Sequence, residues 1–297
     1  MNSDSIDPAL RTTEVTKLPK FPVRIPSGHK GTFGRVMLIA GSPGMTGAAV
    51  LAGRSALRCG SGLVYVASGK TCISEIAVGE PSYLTVRLAD DDSGRLTKVA
   101  ETQILQQLPQ MNAFAIGPGL GRSPILNSLV STLYHTIQLP AVFDADALNS
   151  LAESRSLETD PPGVDRVLTP HPGEFARLSG YSIREIESNR VGLAIQFAKQ
   201  HDVVLVLKGP GTVVTDGHRY YINTTGNTGM ATGGSGDVLT GIILSLLGQG
   251  CLSFEAAQLG VYLHGLAGDL AAKDWTEPGL IASDLPQYVP KAIATLL

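Results

Sequence analysis

Short apolar runs alternate with helical patterns along most of the chain. The runs have the length of buried strands and lie at residues 35–41, 62–68, 113–117, 141–145, 166–170 and 203–209. Helical patterns lie between them at residues 47–60, 96–108, 123–137 and 182–201, and we expect the last to be one long amphipathic helix. Strands that alternate with helices predict an α/β fold, with a mainly parallel sheet covered by helices on both faces.

The pattern changes in the last third of the chain. Residues 212–223 form two alternating runs joined at Asp216-Gly217, a dipeptide that favours a tight hairpin. The sheet is therefore expected to gain antiparallel edge strands. After Gly233 the pattern is helical almost to the end, with Pro278 and Pro286 expected to break it.

The domain organisation follows from the same pattern. No linker rich in Gly, Ser or Pro divides the chain, which predicts a single domain over residues 31–297. Residues 1–30 are polar, contain several prolines and show no periodicity. We expect them to form an N-terminal arm that is partly disordered and then docked.

Composition excludes several classes of protein. The 297 residues carry 23 Lys and Arg against 26 Asp and Glu, a net charge of −3, so the basic patch of a nucleic-acid binder is not expected. The polar N-terminus is not a secretory signal, and no apolar stretch is long enough to span a membrane. The 3 cysteines show no CxxC spacing, which argues against disulfides and zinc. A cytoplasmic protein is predicted.

The strongest chemical signal is the glycine-rich segment GGSGD at residues 233–237, which leads into an apolar helix. Free amides at a helix start, with the positive end of its dipole, favour phosphate binding. Asp237 then lies beside the phosphate, where it could accept a proton from an attacking hydroxyl. The alternative is that Asp237 is only a favourable acid in a first helical turn.

Further candidates follow predicted strands, at the edge of the sheet where α/β proteins bind ligands. LTPHPGEFARL at 168–178 presents His171 and Glu174, and Glu174 could hold magnesium or its water. VFDADALN at 142–149 presents Asp144, which could order a magnesium-bound water. The alternative for Glu174 is a solvated acid at a helix start. Asp146 could cap the next helix.

Three other segments are less specific. In VLKGPGTVV, residues 206–214, Lys208 ends a buried strand and could meet a nucleotide phosphate, or it could simply be solvated. GLVYVASGKT at 62–71 has six residues between its glycines where a P-loop requires four, so that motif is rejected. GPGLG at 117–121 lacks the last glycine of a dinucleotide fingerprint but predicts a close approach of backbone to a ligand. The other histidines are expected to be structural or exposed.

Together these segments resemble the ribokinase-like family and, within it, the ADP-dependent (S)-NAD(P)H-hydrate dehydratases. The resemblance extends from Gly31 onward. It rests on six motifs in order: KGTFGRVMLIAGSPGMTGAAVLAG, AIGPGLG, VFDADALN, LTPHPGEFARLSG, a VVLKG-type strand and GNTGMATGGSGDVLTG. It implies a three-layer α/β/α fold. It also implies a lyase that restores NADH or NADPH from the S epimer of the hydrated form, with ADP converted into AMP and phosphate through a phosphorylated intermediate.

The resemblance also implies roles for single residues. Gly234 and Gly236 would cradle developing charge, Asp237 would abstract the hydroxyl proton, and Glu174 with Asp144 would organise Mg²⁺. The hydrated dinucleotide would contact Ala49, Gly119, His171 and Asp237. The nucleotide would contact Lys208, Gly209, Pro210, Gly211, Thr212 and Gly236. The HPGE form of the fourth motif favours ADP over ATP as the donor.

The resemblance also bears on the partners of the protein and on its alternative functions. Many relatives carry an epimerase domain ahead of this one, and only about 30 residues precede the first motif here, so a separate epimerase is expected. A homo-oligomer, most simply a tetramer, is also expected. The alternative function is a small-molecule kinase of the thiazole or hydroxymethylpyrimidine type. A nucleotide sensor would not need Asp237 and Glu174. The choice between hydrated NADH and hydrated NADPH stays open.

Overall fold

The computed structural model describes residues 12–297. Within them the strands are β1 Thr13–Glu14, β2 Arg35–Ile39, β3 Leu63–Gly69, β4 Leu84–Leu88, β5 Ala113–Ile116, β6 Ala141–Phe143, β7 Arg166–Leu168, β8 Val204–Leu207, β9 Val213–Thr215 and β10 Arg219–Ile222. They form one sheet in the order β1-β10-β9-β8-β7-β6-β5-β2-β3-β4. Strands β2 to β8 pair in parallel, whereas β8, β9 and β10 pair antiparallel. The predicted mainly parallel sheet with antiparallel edge strands is confirmed.

Helices cover both faces of the sheet. They are α1 Thr46–Arg58, α2 Ile73–Gly79, α3 Lys98–Gln107, α4 Pro124–Thr136, α5 Asp146–Glu153, α6 Pro172–Ser179, α7 Ile183–Ser188, α8 Arg190–His201, α9 Ser235–Gly248, α10 Ser253–Trp275 and α11 Leu285–Ala294. Helices α1, α2, α9, α10 and α11 share one apolar core, and α3 to α8 share the other. Alternate strand residues supply the two cores: Val36 and Leu38 face one, Met37 and Ile39 the other.

Two expectations about helices were wrong. The helix predicted over residues 182–201 is two helices, because Asn189 leaves the helical conformation with φ −147 and ψ 53. Its side chain instead accepts a hydrogen bond from the Gly192 N–H and caps α8. Pro286 lies in the first turn of α11, where the missing N–H needs no partner, so it begins this helix and does not break it.

The described part of the N-terminal arm, residues 12–30, begins at the β10 edge of the sheet and reaches the segment that precedes β3; residues 1–11 lie outside the described residues. β1 pairs in parallel with β10. Gln258 on α10 donates a hydrogen bond to the Lys17 carbonyl, and Arg24 donates one to the Gly60 carbonyl. The arm thereby covers strand-edge groups of β10 that would otherwise be unpaired. Of the helices in residues 12–297, none is long and apolar enough to cross a membrane.

Candidate functional site

Four ionisable side chains meet at the carboxyl ends of the central parallel strands. Asp144 follows β6, Glu174 lies in the first turn of α6 after β7, and Lys208 follows β8. Asp237 joins them from the first turn of α9. Because parallel strands all end at the same edge of the sheet, residues far apart in sequence converge there.

Lys208 lies at the centre of this acidic cluster. Its Nζ is 2.9 Å from Asp144 Oδ1 and 3.7 Å from Glu174 Oε2. A Cβ placed on Gly236 would lie 3.4 Å from the same Nζ, so the ammonium also reaches the glycine turn. Burial alone would lower the pKa of Lys208, but the carboxylates of Asp144 and Glu174 outweigh it and raise that pKa. The side chain is therefore a charged ammonium that neutralises part of the cluster.

Asp144 is held on both of its oxygens. It is 1% exposed, and while Oδ1 accepts from Lys208, Oδ2 accepts a 2.7 Å hydrogen bond from Thr240 Oγ1. Sequence analysis missed Thr240. Two features of the sequence point to Thr240: it is a polar residue in an apolar helix, and it lies three positions after Asp237 and so on the same helical face.

The acidity of Asp237 is strongly perturbed by its surroundings. Its pKa is raised to about 7, mainly by burial and then by the nearby Asp144 carboxylate, while Lys208 acts in the opposite direction. A carboxyl group with a pKa close to neutrality can gain and lose a proton at physiological pH. Asp237 therefore has the acidity expected of a general base.

The turn before Asp237 requires glycine. Gly234 precedes α9 with φ 95, a left-handed conformation, and a Cβ there would lie 2.5 Å from Leu51 Cδ1 and 3.2 Å from the Ala282 Cβ. The first N–H groups of α9 have no carbonyl partner within the helix, so they can bind an anion. The cradle predicted at Gly234 and Gly236 thus has the required backbone geometry.

His264 lies behind this turn. Its Nε2 is 3.3 Å from Ser235 Oγ, and burial lowers the pKa of the imidazole to about 4. The ring is therefore neutral at physiological pH. Sequence analysis expected a structural or exposed histidine, and the contact with Ser235 gives it a supporting position at the start of α9.

Glu174 and His171 cap α6 together. Glu174 Oε2 accepts from the His171 N–H at 2.8 Å, while His171 Nδ1 accepts from the Gly173 N–H at 3.0 Å. Glu174 is only 6% exposed, so it is not the solvated acid of the alternative interpretation. The His171 side chain is 53% exposed and remains accessible to a ligand.

The segment Lys208–Thr212 turns between β8 and β9 and exposes its backbone. Gly209 and Gly211 have φ 141 and 63, and Pro210 between them is exposed. Thr212 Oγ1 closes the turn by donating to the Gly209 carbonyl at 2.9 Å. The exposed backbone beside the charged Lys208 is suited to a phosphate-bearing ligand.

Arg190 stabilises this turn through its side chain. This residue was not among the candidates predicted from the sequence. Its Nη2 donates to the carbonyls of Leu207 and Lys208 at 3.1 and 3.0 Å. Arg190 begins α8, where the helix dipole disfavours a cation, and Glu187 compensates through a 3.1 Å contact. A Cβ on Gly209 would lie 2.9 Å from Arg190 Nη2, so guanidinium and turn are tightly packed.

The remaining predicted substrate residues lie further along the edge. Gly119, with φ 61, follows β5, and its carbonyl accepts from Ser42 Oγ at 2.8 Å. Asp146, the first residue of α5, holds this loop by accepting from the Gly121 N–H at 2.8 Å, so it does not act as the helix cap. Ala49 is fully buried in α1, and the predicted substrate contact there gains no support from this geometry.

The site offers limited ligation for a metal. In the stretch from residue 12 to residue 297, no group of three or more His, Cys, Asp or Glu is arranged to hold a metal ion. Asp144 and Glu174 lie on either side of the Lys208 ammonium, which disfavours direct coordination between them. Mg²⁺ keeps several waters and needs few protein carboxylates when phosphate oxygens are present. The two residues therefore fit Mg²⁺ bound through water and phosphate.

Comparison with known proteins adds a family. Residues 36–291 match the family model described as NAD(P)H-hydrate dehydratase. The bifunctional NAD(P)H-hydrate repair enzyme Nnr of Moorella thermoacetica is 45% identical over 279 residues, which are 93% of this chain and 52% of that protein. The ADP-dependent (S)-NAD(P)H-hydrate dehydratase of Neisseria meningitidis is 35% identical over 89% of this chain and 86% of its own length. This chain thus spans about half the length of the bifunctional relatives it matches.

Solved structures agree with the fold. An ADP/ATP-dependent NAD(P)H-hydrate dehydratase from Bacillus subtilis, co-crystallised with ATP and Mg²⁺, superposes with a TM-score of 0.79 at 30% identity. The match covers 95% of this chain and 100% of that one. A ribokinase-like superfamily protein from Enterococcus faecalis gives a TM-score of 0.80 at 26% identity, over 93% of this chain and 92% of its own. The ribokinase-like fold expected from the sequence motifs is confirmed.

Proposed function

The chain belongs to the NAD(P)H-hydrate dehydratase family, and on that premise we propose that it restores NADH or NADPH from the hydrated S epimer with ADP as phosphoryl donor. The observation that carries the proposal is Asp237. Its pKa of about 7 and its position in the first turn of α9 suit a base that acts beside a phosphate. Lys208 and the free amides of the glycine turn lie next to it and suit the phosphate itself.

The first half-reaction is a phosphoryl transfer. Asp237 takes the proton of the ring hydroxyl, and the hydroxyl oxygen forms a bond to the terminal phosphorus of ADP. The bond from that phosphorus to the bridging oxygen breaks, and AMP leaves with the electron pair. The amides at Gly234 and Gly236 stabilise the negative charge that develops on the transferred group.

The second half-reaction is an elimination. The carbon–oxygen bond to the new phosphate breaks, inorganic phosphate leaves with the electron pair, and the adjacent ring carbon loses a proton to water. The ring double bond is restored. The sum of both steps converts hydrated dinucleotide and ADP into NADH or NADPH, AMP and phosphate, so atoms balance.

The remaining residues take binding roles in this proposal. The turn from Lys208 to Thr212 holds the nucleotide, and Gly119 with the exposed His171 contacts the dinucleotide. Asp144 and Glu174 would hold Mg²⁺ through water, and when bound the ion neutralises phosphate oxygens. Lys208 keeps the two carboxylates apart and in place before substrate arrives.

The decisive experiment follows the recovery of reduced-nicotinamide absorbance from hydrated NADH with Mg²⁺ and ADP, ATP or no nucleotide. Recovery with ADP, with AMP and free phosphate released in equal amounts, is the expected result. Recovery with ATP alone would show that the donor assignment is wrong. If phosphate stays on the product, the protein is a small-molecule kinase of the thiazole or hydroxymethylpyrimidine type. If no donor supports recovery, the dehydratase proposal fails.

Further parts of the proposal concern the cell and the assembly. We propose that the reaction takes place in the cytoplasm and that another protein supplies the epimerase. We also propose that the protein is a homotetramer. The large hydrophobic residues Leu252, Trp275 and Ile281 are exposed around α10 and would be covered in an oligomer. Light scattering tests the tetramer, and recovery from the R epimer with and without an added epimerase tests the partner.

A further inference from the structure

Lys70 and Asp90 form an ion pair at the far end of the same sheet edge. Lys70 follows β3 and Asp90 follows β4, with Lys70 Nζ 3.6 Å from Asp90 Oδ1. The Asp90 side chain is fully buried and accepts a 2.9 Å hydrogen bond from the Thr71 N–H, whereas the Lys70 side chain is 56% exposed. The buried Asp90 carboxylate therefore positions the Lys70 ammonium from the protein side, while the exposed side of the ammonium is accessible to a ligand.

A chain of contacts joins the acidic cluster to this pair. Asp146 beside β6 holds Gly121, and Gly119 of the same loop holds Ser42 after β2. Pro43 packs against Gly94, and a Cβ on Gly94 would lie 3.7 Å from the Thr71 Cβ. The loops that follow β5, β2, β4 and β3 thus touch one another and form a continuous floor.

The sheet order sets the length of this floor. From β6 the strands follow as β5, β2 and β3, so three interstrand intervals separate Asp144 from Lys70, about 14 Å at the usual spacing. The nucleotide turn at Lys208–Thr212 lies on the other side of the cluster. A dinucleotide with its nicotinamide ring at Asp237 would therefore extend across the floor and bring its adenosine towards β3.

We propose that Lys70 binds the 2′-phosphate of the adenosine ribose and so favours hydrated NADPH over hydrated NADH. The inference rests on the proposed function. A phosphate is all that distinguishes the two substrates, and a lysine recognises it as a point charge. The buried Asp90 carboxylate positions the Lys70 ammonium, and the Lys70 side chain shields that carboxylate from the phosphate. Arg122 is paired with Glu153 and follows β5, one strand from β6, too close to the reacting end.

The test compares kcat/KM for hydrated NADPH and hydrated NADH. In Lys70→Met we expect the ratio of the two values to fall about tenfold, the effect of losing one charged hydrogen bond. Lys70→Arg should restore most of the ratio. Lys98→Met is the matched control, since Lys98 is also an exposed lysine paired with an acid, Glu101, but lies on α3. An unchanged ratio in Lys70→Met would overturn the inference.

A second measurement separates this inference from the proposed function. The affinities for NADPH and NADH themselves, measured by equilibrium titration of the same variants, require no turnover. Loss of the NADPH preference in Lys70→Met without any conversion of hydrate would retain the phosphate site and reject the dehydratase. If both hydrates are converted but Lys70→Met changes neither the kcat/KM ratio nor the affinity ratio, the dehydratase proposal stands and the phosphate site at Lys70 is rejected.

Discussion

The two halves of the proposed ligand-binding edge differ in the groups that they present. At the ends of β6, β7 and β8, and at the start of α9, ionisable side chains lie together: Lys208 pairs with Asp144 and Glu174, and Asp237 lies close enough to feel their charges. At the ends of β2 and β5, glycine loops contact one another through backbone atoms, as at Gly119 and Ser42. In the first half the pKa values of Lys208 and Asp237 are raised by their surroundings, whereas the second half is defined by the conformation of its backbone.

This difference predicts how each half responds to substitution. A change in the charged half should alter turnover and pH dependence, because the charges of its residues depend on one another. A change in the glycine half should alter stability or affinity, because Gly117 and Gly119 have positive φ and no room for a Cβ.

The largest effect is expected for Asp237→Asn. The amide cannot accept the hydroxyl proton, so kcat should fall roughly 10²- to 10⁴-fold while ADP affinity changes little. Turnover of hydrated NADH and equilibrium titration with ADP measure the two quantities. Asp160→Asn, at an exposed acid away from the site, is the control. Normal turnover in Asp237→Asn would remove this residue from the mechanism.

Gly117→Ala tests the border between the halves. Gly117 has φ 132, and a Cβ there would overlap the Asp144 carbonyl oxygen. We expect the free energy of unfolding to fall by about 3 kcal/mol or more, from overlap and backbone strain together. Chemical denaturation measures it.

Gly44→Ala is the matched control for Gly117→Ala. Gly44 has φ 82, but a Cβ there would have no neighbour within 4 Å, so only conformational strain of about 1–2 kcal/mol is expected. Equal losses in both variants would mean that the contact with Asp144 is unimportant.

The third prediction concerns stability and pH. The pKa of Asp237 is raised from 3.8 to about 7 in the folded protein, so ionised Asp237 destabilises the fold. This penalty is absent below the unfolded pKa, grows as pH rises and is complete above about 7. Asp237→Asn should therefore be more stable than the parent protein by roughly 2 kcal/mol at pH 8, allowing for partial exposure, and equally stable near pH 4. Denaturation at both pH values tests this; a constant difference would contradict it.

Sequence analysis found most of the fold because the strands are short apolar runs with recognisable ends. It failed at residues 182–201, where the amphipathic pattern continues through the break at Asn189. The break depends on a side-chain cap from Asn189 to Gly192, which hydrophobic periodicity does not report. Of the alternatives for Asp146, the role of helix cap is wrong, because its side chain instead accepts from Gly121 on a loop that is distant in sequence.

The site was predictable where a functional residue follows a strand or begins a helix. Asp144, Glu174, Lys208 and Asp237 all occupy such positions, and the structure brings them together. Thr240 and Arg190 were missed for a physical reason. Each acts on a group that is distant in sequence, a carboxylate for Thr240 and two carbonyls for Arg190, and such partners appear only once the chain is folded.

The smallest effect is expected for Arg190→Lys, which tests whether the charged half also depends on backbone shape. Lysine keeps the charge, but its single nitrogen cannot serve the carbonyls of Leu207 and Lys208 and the Glu187 carboxylate at once, as Nη2 and Nη1 of Arg190 do. The turn that begins at Lys208 should loosen, raising KM for ADP about fivefold to tenfold, as expected for one weakened charged hydrogen bond. Arg190 touches no reacting atom, so kcat should change less than about twofold.

Steady-state kinetics with varied ADP and with varied hydrated NADH measure this split. Arg184→Lys, at an exposed arginine on the neighbouring helix α7, is the matched control and should leave both KM values unchanged. If Arg190 had only a structural role, Arg190→Lys would lower stability but would not raise KM for ADP more than KM for hydrated NADH. If kcat fell while KM for ADP stayed constant, Arg190 would act through the position of the Lys208 ammonium between Asp144 and Glu174. A change in the turn from Lys208 to Thr212 would then also shift the acidic cluster, and the two could not be altered independently.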